Sequence, residues 1–255
     1  MNRLRKLLAD DKSVITAWCG WSGRNYIETI AACGFDTITL EMQHGLHTDA
    51  TIIEDVANVA GSGKPAIVRI PVGRFEFASR ALDVGAHAII APMINTVEDA
   101  EAFVSFMKFP PIGDRSHGPT QAVHVLGIPS VQEYLTNAND CTMAFAMIET
   151  TEAVKNLDAI LDVDGIDGVL VGPSDLSISY QNKPEPDPFG EGTIEVIKEI
   201  AAKTRAKNKT AAIFCLTAER VDVTHSMGYR LMAIGVDSMY ISEGAETMLS
   251  QVTFR

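Results

Sequence analysis

The feature that most constrains the fold is a repeated alternation between short apolar runs and helical patterns. The apolar runs occupy residues 14–18, 36–40, 66–70, 87–91, 142–148, 168–172, 210–214 and 231–235. They are nearly continuous in apolar residues, which is typical of parallel strands covered by helices on both faces. Eight such units within 255 residues predict a single (β/α)8 TIM barrel spanning residues 1–255, rather than a doubly wound sheet.

Helices are predicted after the strands, near residues 23–33, 49–61, 74–84, 96–107, 151–161, 190–207, 217–227 and 237–252, with a short one after 168–172. The N-terminal stretch 1–13 predicts a short amphipathic helix. Two segments interrupt the alternation of strands and helices, 109–130 and 179–192, and both contain Pro and Gly. Long loops in compact domains are often lids or subunit contacts. For 179–192, a plain surface excursion is an equal alternative.

Composition excludes several classes of protein. The chain carries 33 Asp and Glu against 21 Lys and Arg, a net charge of -12. This balance argues against binding of a nucleic-acid backbone. The cysteines at 19, 33, 141 and 215 show no CxxC spacing, so neither a zinc site nor a redox motif is indicated and a reducing cytoplasm is expected. No signal peptide, membrane span or glycine-rich dinucleotide fingerprint is predicted.

Polar residues cluster where the predicted strands end. In a (β/α)8 barrel the chemistry lies at the carboxyl ends of the strands. The second strand is followed by Gln43, His44 and His47 and ends near Glu41; the third ends near Arg69, the fifth at Glu149, and the sixth at Ser174 and Asp175, while Asp237 lies close to the end of the eighth.

Glu149 and Asp175 end neighbouring strands, so their carboxylates are expected to face one another. Two close negative charges repel unless one is protonated or a cation lies between them. Hard oxygen ligands favour Mg²⁺ or Mn²⁺, with water and substrate completing the coordination. The structural alternatives are that Asp175 caps the following helix and that Glu149 favours the start of its own. The pair together favours a metal site.

Arg69 and His44 are the other candidates for chemistry. An arginine on an apolar strand needs a partner, either an internal salt bridge, for example to Glu41, or a substrate oxyanion. His44 lies in a loop and is the best candidate for a general acid or base. His47 could join it as a metal ligand. Asp83 is either a solvated helix carboxylate or a residue that orients His44, which periodicity does not decide.

At these residues the chain resembles a known family. The stretches "EMQHG", "IVRIPVG", "RALDVGAHAIIAPMINTVEDAE", "MIETTEAVKNLDAILDVDGIDGVLVGPSDLS" and "MAIGVDS" resemble the HpcH/HpaI family of metal-dependent class II pyruvate aldolases. The likeness spans roughly residues 3 to 250.

The resemblance implies a barrel of the phosphoenolpyruvate/pyruvate superfamily, with the last helix exchanged between subunits of a homohexamer. It implies a divalent ion (Mg²⁺, Mn²⁺ or Co²⁺) on Glu149 and Asp175, a catalytic Arg69, and a His44–Asp83 dyad. The turn formed by Gly172, Pro173, Ser174 and Asp175 would receive the pyruvate carboxylate on its backbone N–H groups. The implied reaction is reversible retro-aldol cleavage of a 2-oxo-4-hydroxy acid to pyruvate and an aldehyde.

The sequence also departs from the family. Gln43 stands where the family commonly has Glu, and Met147 stands where it often has Gln, two residues before the metal-binding Glu. The stretch "SHGPTQAVH" replaces small residues in a region expected to shape the substrate entrance, so His117 and His124 are expected to contact a different aldehyde. These departures concern the substrate rather than the metal.

Two other functions stay open. One is a decarboxylase or acyl-thioester lyase that also acts through a metal-stabilised enolate, which the Met147 departure motivates. The other is a non-catalytic barrel that binds a small carboxylate, because a fold alone does not establish an activity.

Overall fold

The computed structural model describes residues 3–254 and contains a closed barrel of eight parallel strands in sequential order. The strands are β1 Val14–Cys19, β2 Thr37–Glu41, β3 Ala66–Arg69, β4 Ala88–Ala91, β5 Met143–Ile148, β6 Gly168–Val171, β7 Thr210–Leu216 and β8 Leu231–Ile234. The barrel closes through β1 and β8, where Val14 pairs with Leu231. The predicted (β/α)8 barrel is confirmed.

Helices connect the strands in the predicted order. They are α1 Arg3–Leu7, α2 Arg24–Ala32, α3 Asp49–Gly61, α4 Glu76–Asp83, α5 Val97–Met107, α6 Thr120–Val125, α7 Val131–Cys141, α8 Thr151–Lys155, α9 Leu157–Asp162, α10 Pro173–Gln181, α11 Glu191–Ala206, α12 Ala218–Ser226 and α13 Asp237–Ser250. The helix predicted over 151–161 is two helices, α8 and α9. The helices α6 and α7 were not predicted, because Pro and Gly interrupt the apolar periodicity around them.

The core has two layers, as strand alternation dictates. One set of side chains fills the barrel interior, including Ile67, Ile90 and Phe145. The other set, including Val68 and Ile89, packs between the strands and the helices. Leu4 of α1 is fully buried and belongs to the interior set. The amphipathic N-terminal helix therefore closes the barrel at the end where the strands begin.

The long segment between β4 and β5 also lies at that closed end. The buried Lys108 donates from Nζ to the carbonyl of Thr142 at 2.7 Å and to Asp167 at 3.0 Å, and both acceptors directly precede strands. His117 and His124 are exposed and do not line the cavity at the carboxyl ends of the strands. The expectation that they shape the substrate entrance is therefore wrong within one chain, because the segment returns to the opposite end of the barrel.

The last helix, α13, makes little contact with the barrel. Asp237 is its single buried residue. Ile241, Met248 and Leu249 expose 50%, 73% and 48% of their surface. Their spacing places these three side chains along one helical face.

All four cysteines are free thiols. Within residues 3–254, no helix is long and apolar enough to cross a membrane.

Candidate active site

A cavity of about 430 Å³ opens at the carboxyl ends of the strands. Its polar lining includes Glu41, His44, Arg69 and Asp175, which end or follow three different strands. Gly172, Pro173 and Ser174 lie beside Asp175 in the lining. The apolar lining consists of Trp18, Trp21, Leu46, Met147, Phe214 and Val236. The structure thus brings together most of the predicted site residues.

Glu41 lies at the centre of a hydrogen-bond network. Its Oε2 accepts from Trp18 Nε1 at 3.0 Å and from Arg69 Nη1 at 2.9 Å. Its Oε1 accepts from the backbone N–H groups of Gln43 at 2.6 Å and His44 at 3.2 Å. The salt bridge to Glu41 that the sequence offered as one alternative for Arg69 is therefore present. One carboxylate positions both the arginine and the loop that carries His44.

Arg69 lies between two carboxylates. Its Nη2 is 3.6 Å from Glu149 Oε1, and 3% of the residue is exposed. Its Nε is buried and has no hydrogen-bond partner among residues 3–254. A buried donor without a partner is costly, and Arg69 lines the cavity, so its guanidinium is suited to an oxygen of a bound ligand.

Glu149 is 1% exposed at the end of β5. Its Oε2 accepts from the Met93 backbone N–H at 2.9 Å. Burial raises the pKa of its carboxyl group, Arg69 and the Met93 N–H oppose this, and the negative charges of Asp175 and Glu41 raise the pKa further. Glu149 does not begin the next helix, because Thr150 is the N-cap of α8.

Asp175 lies in the first turn of α10, whose N-cap is Gly172, and it makes no capping hydrogen bond. It is exposed and lines the cavity. A Cβ at Gly172 would lie 2.8 Å from Glu149 Oε1 and 2.8 Å from Met147 Cε. Glycine at this position therefore lets the start of α10 approach the buried carboxylate closely.

Glu149 and Asp175 are the residues suited to a divalent cation. Two hard carboxylate donors, one of them held in a buried and repulsive environment, fit an ion that takes oxygen ligands. Within the described part of the chain, no group of three or more His, Cys, Asp or Glu side chains is placed to hold a metal ion. Mg²⁺ commonly takes one or two carboxylates together with water and substrate, so a site with two protein ligands fits this chemistry.

His44 and His47 occupy different environments. His44 is exposed and lines the cavity, and its Nε2 lies 3.1 Å from the Gln43 side-chain amide. His47 is buried with Nδ1 3.4 Å from Asp55 Oδ2, and burial lowers its pKa. His47 does not line the cavity, so the suggested pairing of the two histidines as metal ligands is not formed.

Asp83 does not meet His44 within one chain. It ends α4, close to the closed end of the barrel, because the chain then enters β4 and the His87 N–H bonds to Ala66, the first residue of β3. Its Oδ1 accepts from Arg115 Nη2 at 2.7 Å. Within a single chain, Asp83 therefore does not orient His44 as predicted.

Two residues of the site were not among the predicted catalytic or binding residues. Trp18 is the last residue of the first apolar run, where the pattern indicates burial but not the hydrogen bond that its indole N–H makes. Asp237 was expected only to lie close to the end of the eighth strand. It is buried and accepts from the backbone N–H groups of Gly20 at 2.7 Å and Trp21 at 3.2 Å. It fixes the loop after β1 at the cavity edge.

Comparison with known proteins agrees with this architecture. The chain is 29% identical over 253 residues to a hydroxypyruvate/pyruvate aldolase of Rhizorhabdus wittichii, with 98% of each chain covered. It is also 29% identical to a 2-keto-3-deoxy-L-rhamnonate aldolase of Klebsiella pneumoniae. That alignment covers 98% of this chain and 92% of the relative.

Solved structures share the fold. An HpcH/HpaI aldolase from Desulfitobacterium hafniense matches with a TM-score of 0.86 and 24% identity, over 100% of both chains. A family member from Burkholderia cenocepacia gives a TM-score of 0.87 at 23% identity, covering 98% of this chain and 99% of the other. The sequence model described as HpcH/HpaI aldolase/citrate lyase matches residues 15–243. The chain therefore belongs to the HpcH/HpaI aldolase/citrate lyase family.

Proposed function

We propose that the protein is a divalent-metal-dependent aldehyde-lyase that reversibly cleaves a 2-oxo-4-hydroxy acid to pyruvate and an aldehyde. The observation that carries this proposal is the buried Glu149 carboxylate, which lies beside Arg69 and the exposed Asp175 at an open cavity. The aldolase names of the two relatives support the same reaction class.

Glu149 and Asp175 would hold the ion. A divalent cation bound there supplies Lewis acidity that stabilises negative charge on the oxygens of a 2-oxo acid. Mg²⁺, Mn²⁺ and Co²⁺ are all candidates. The Glu149 carboxyl group must lose its proton before it can bind the ion. Its raised pKa shifts this loss to higher pH, so affinity should rise with pH.

Arg69 would stabilise developing oxyanion charge. Its Nη1 is held by Glu41, which fixes the guanidinium, while the N–H groups that do not bond to Glu41 remain to donate to a substrate oxygen. A preorganised buried donor of this kind favours the charge-separated transition state over the neutral ground state.

The first turn of α10 would orient the pyruvate carboxylate. Pro173 lacks an N–H, so the donors available in this turn are the backbone N–H groups of Ser174 and Asp175. Both residues and Gly172 line the cavity. A helix N-terminus favours an anion, which places the pyruvate end of the substrate on this side.

His44 would take the proton of the 4-hydroxyl group as the C3–C4 bond breaks and the aldehyde carbonyl forms, and C3 of the pyruvate fragment would then receive a proton from His44 or from water. It lines the cavity on a loop fixed by the Glu41 carboxylate. Since Asp83 lies at the far end of its own barrel, any pairing of the two residues would need a second copy of the chain.

Assembly is part of the proposal. Ile241, Met248 and Leu249 form an exposed apolar face on a helix that buries little against its own barrel. Such a face is covered most simply by another copy, and we propose exchange of α13 between subunits, with a hexamer as the assembly. Free thiols accord with our placement of the protein in the cytoplasm.

The experiment is pyruvate release from a panel of 2-oxo-4-hydroxy acids by EDTA-treated protein, with and without added Mg²⁺, Mn²⁺ or Co²⁺. Metal-dependent release from at least one acid is expected, and chelation should abolish it. Release from none of the acids with any ion would refute the proposal.

A second candidate is decarboxylation of a 2-oxo diacid or cleavage of an acyl thioester at the same site. Met147 favours it, because its thioether lines the cavity beside Gly172 and gives no strong hydrogen bond to a substrate hydroxyl. Faster turnover of oxaloacetate or a CoA ester than of every hydroxy acid would support this candidate. A non-catalytic carboxylate-binding barrel would bind pyruvate without converting any of these compounds.

A further inference from the structure

We infer that the cavity selects an aldehyde partner with a neutral, apolar chain and rejects one that carries its own carboxylate. This inference rests on the proposed function and names the substrate class that the site would accept.

The positive charge in the cavity already lies beside carboxylates of the protein. Among the described residues that line it, Arg69 is the one Lys or Arg side chain. Its Nη1 is paired with Glu41 at 2.9 Å and its Nη2 lies 3.6 Å from Glu149. The guanidinium charge is thus shared between two carboxylates, and the N–H groups that it has left would serve the pyruvate half of the substrate. Within the described residues of a single chain, no further lysine or arginine lines the cavity to meet a second carboxylate.

Fixed negative charge surrounds the same space. Asp175 and Asp237 line the cavity, and so does Glu41, whose charge is paired with that of Arg69. Asp237 is held in place by the backbone N–H groups of Gly20 and Trp21, and it sits on the side of the cavity formed by β1 and β8. A divalent ion at Glu149 and Asp175 would offset part of this charge, and the pyruvate carboxylate adds to it. A second substrate carboxylate would therefore face like charge without a counter-ion.

The remaining wall is apolar. Trp18 and Phe214 meet edge to face with ring centroids 5.2 Å apart, and Val236 and Met147 continue this surface inside the cavity. Leu46 and Trp21, 67% and 41% exposed, extend it to the rim. Exposed apolar groups of this size in a concave site favour contact with an apolar ligand.

The size of the cavity suits this selection. About 430 Å³ lies within the range of small-molecule sites and exceeds what pyruvate alone would fill. The additional space adjoins the aromatic wall, so alkyl or aryl carbons on the aldehyde would remove that wall from water.

The test compares two substrates of equal chain length, 4-hydroxy-2-oxoheptanoic acid and 4-hydroxy-2-oxoheptanedioic acid, with Mg²⁺ or Mn²⁺ present. Cleavage of the first releases butanal, and cleavage of the second releases the corresponding carboxylated aldehyde. A kcat/KM at least about tenfold higher for the monoacid is expected. Equal values, or a preference for the diacid, would overturn the inference and leave the aldolase proposal intact. Cleavage of neither acid, nor of any other hydroxy acid, would overturn both.

A charge-insertion variant makes the same test independent of absolute rates. Leu46→Lys adds a cation at the exposed cavity rim, whereas Gln132→Lys adds the same charge at an exposed position of α7, outside the cavity. Leu46→Lys should shift the monoacid-to-diacid ratio by about tenfold towards the diacid, and Gln132→Lys should leave the ratio unchanged. An unchanged ratio in Leu46→Lys, or an equal shift in both variants, would contradict the inference.

Discussion

Arg69 Nη1 donates to Glu41 Oε2 at 2.9 Å, deep in the wall of the cavity. The same carboxylate accepts from the indole of Trp18 and from the backbone of the His44 loop. Arg69, which ends β3, and His44, which lies in the loop after β2, therefore share one fixed anchor. Changes at Glu41 should alter both without touching the proposed ligands of the ion.

Glu41→Gln keeps the shape of the side chain but removes its charge. Arg69 then loses its closest counter-ion and is held less firmly in the cavity wall. We expect kcat/KM for cleavage to fall about 10- to 100-fold, as for other residues that orient metal-site groups. Glu54→Gln, exposed on α3, is the matched control and should match the parent. Parent-like kcat/KM in Glu41→Gln would show that this anchor is not needed.

Replacement of the proposed ligands should weaken ion binding. Glu149→Gln and Asp175→Asn each remove a charged oxygen donor, so we expect the Kd for Mn²⁺ measured by calorimetry to rise at least about tenfold. Glu152→Gln changes an exposed carboxylate only three residues from Glu149 and serves as the control. Parent-like Mn²⁺ affinity in both ligand variants would place the ion elsewhere.

The raised pKa of Glu149 also predicts a dependence of stability on pH. In the unfolded chain this carboxyl group has its ordinary pKa of 4.5, and in the native, metal-free protein its pKa is higher. The native state therefore holds the proton to higher pH. The stability this provides is present below pH 4.5 and is lost as pH rises through the native pKa.

Urea unfolding in EDTA across this range should show the effect as a difference between parent and Glu149→Gln, which cannot ionise. The parent should lose free energy of unfolding relative to the variant as pH rises, and the difference should level off above the native pKa. Parallel curves for the two proteins would mean that the pKa of Glu149 is not raised.

Gly172→Ala tests the close approach of α10 to Glu149. The new Cβ would lie 2.8 Å from Glu149 Oε1, so the carboxylate or the helix must shift. We expect weaker Mn²⁺ binding and a loss of stability on the order of 1–3 kcal/mol. Gly61→Ala at the end of α3, where a Cβ would meet nothing within 4 Å, should be neutral or slightly stabilising. Unaltered Mn²⁺ affinity in Gly172→Ala would show that the close approach of α10 to Glu149 is not needed for ion binding.

The apolar face of α13 predicts self-association. Leu249→Glu places a charge among Ile241 and Met248, whereas Ser250→Glu adds the same charge at the next position of the helix. Sedimentation velocity should show an assembly of several copies for the parent and for Ser250→Glu, and smaller species for Leu249→Glu. A monomeric parent would contradict the proposed role of this helix.

The barrel was predictable because each strand is buried on both faces and so appears as a continuous apolar run. The grouping of Arg69, Glu149 and Asp175 followed from the rule that strand ends converge at one rim. Trp18 and Asp237 were harder, because their roles depend on particular hydrogen bonds between elements separated in sequence. The Trp18 indole donates to Glu41 of the neighbouring strand, and Asp237 accepts from Gly20 and Trp21 across the barrel closure.

The expectations that a single chain does not realise lie where the chain passes from one end of the barrel to the other. Asp83 was expected to orient His44, and His117 and His124 were expected to lie at the substrate entrance, but all three belong to stretches that return to the start of the next strand. Sequence periodicity identifies a helix without saying which end of the barrel a residue near its terminus will reach. The helices α6 and α7 inside that excursion were missed for the related reason that turn residues obscure their short patterns.

Hydrogen exchange at the methyl group of pyruvate in D₂O tests the central claim most directly, since it needs no aldehyde partner. The parent protein with Mg²⁺ should incorporate deuterium at C3, detected by mass spectrometry, while EDTA treatment or Glu149→Gln should reduce exchange to the background rate. Exchange that persists unchanged in EDTA and in Glu149→Gln would contradict a metal-assisted enolisation at this site.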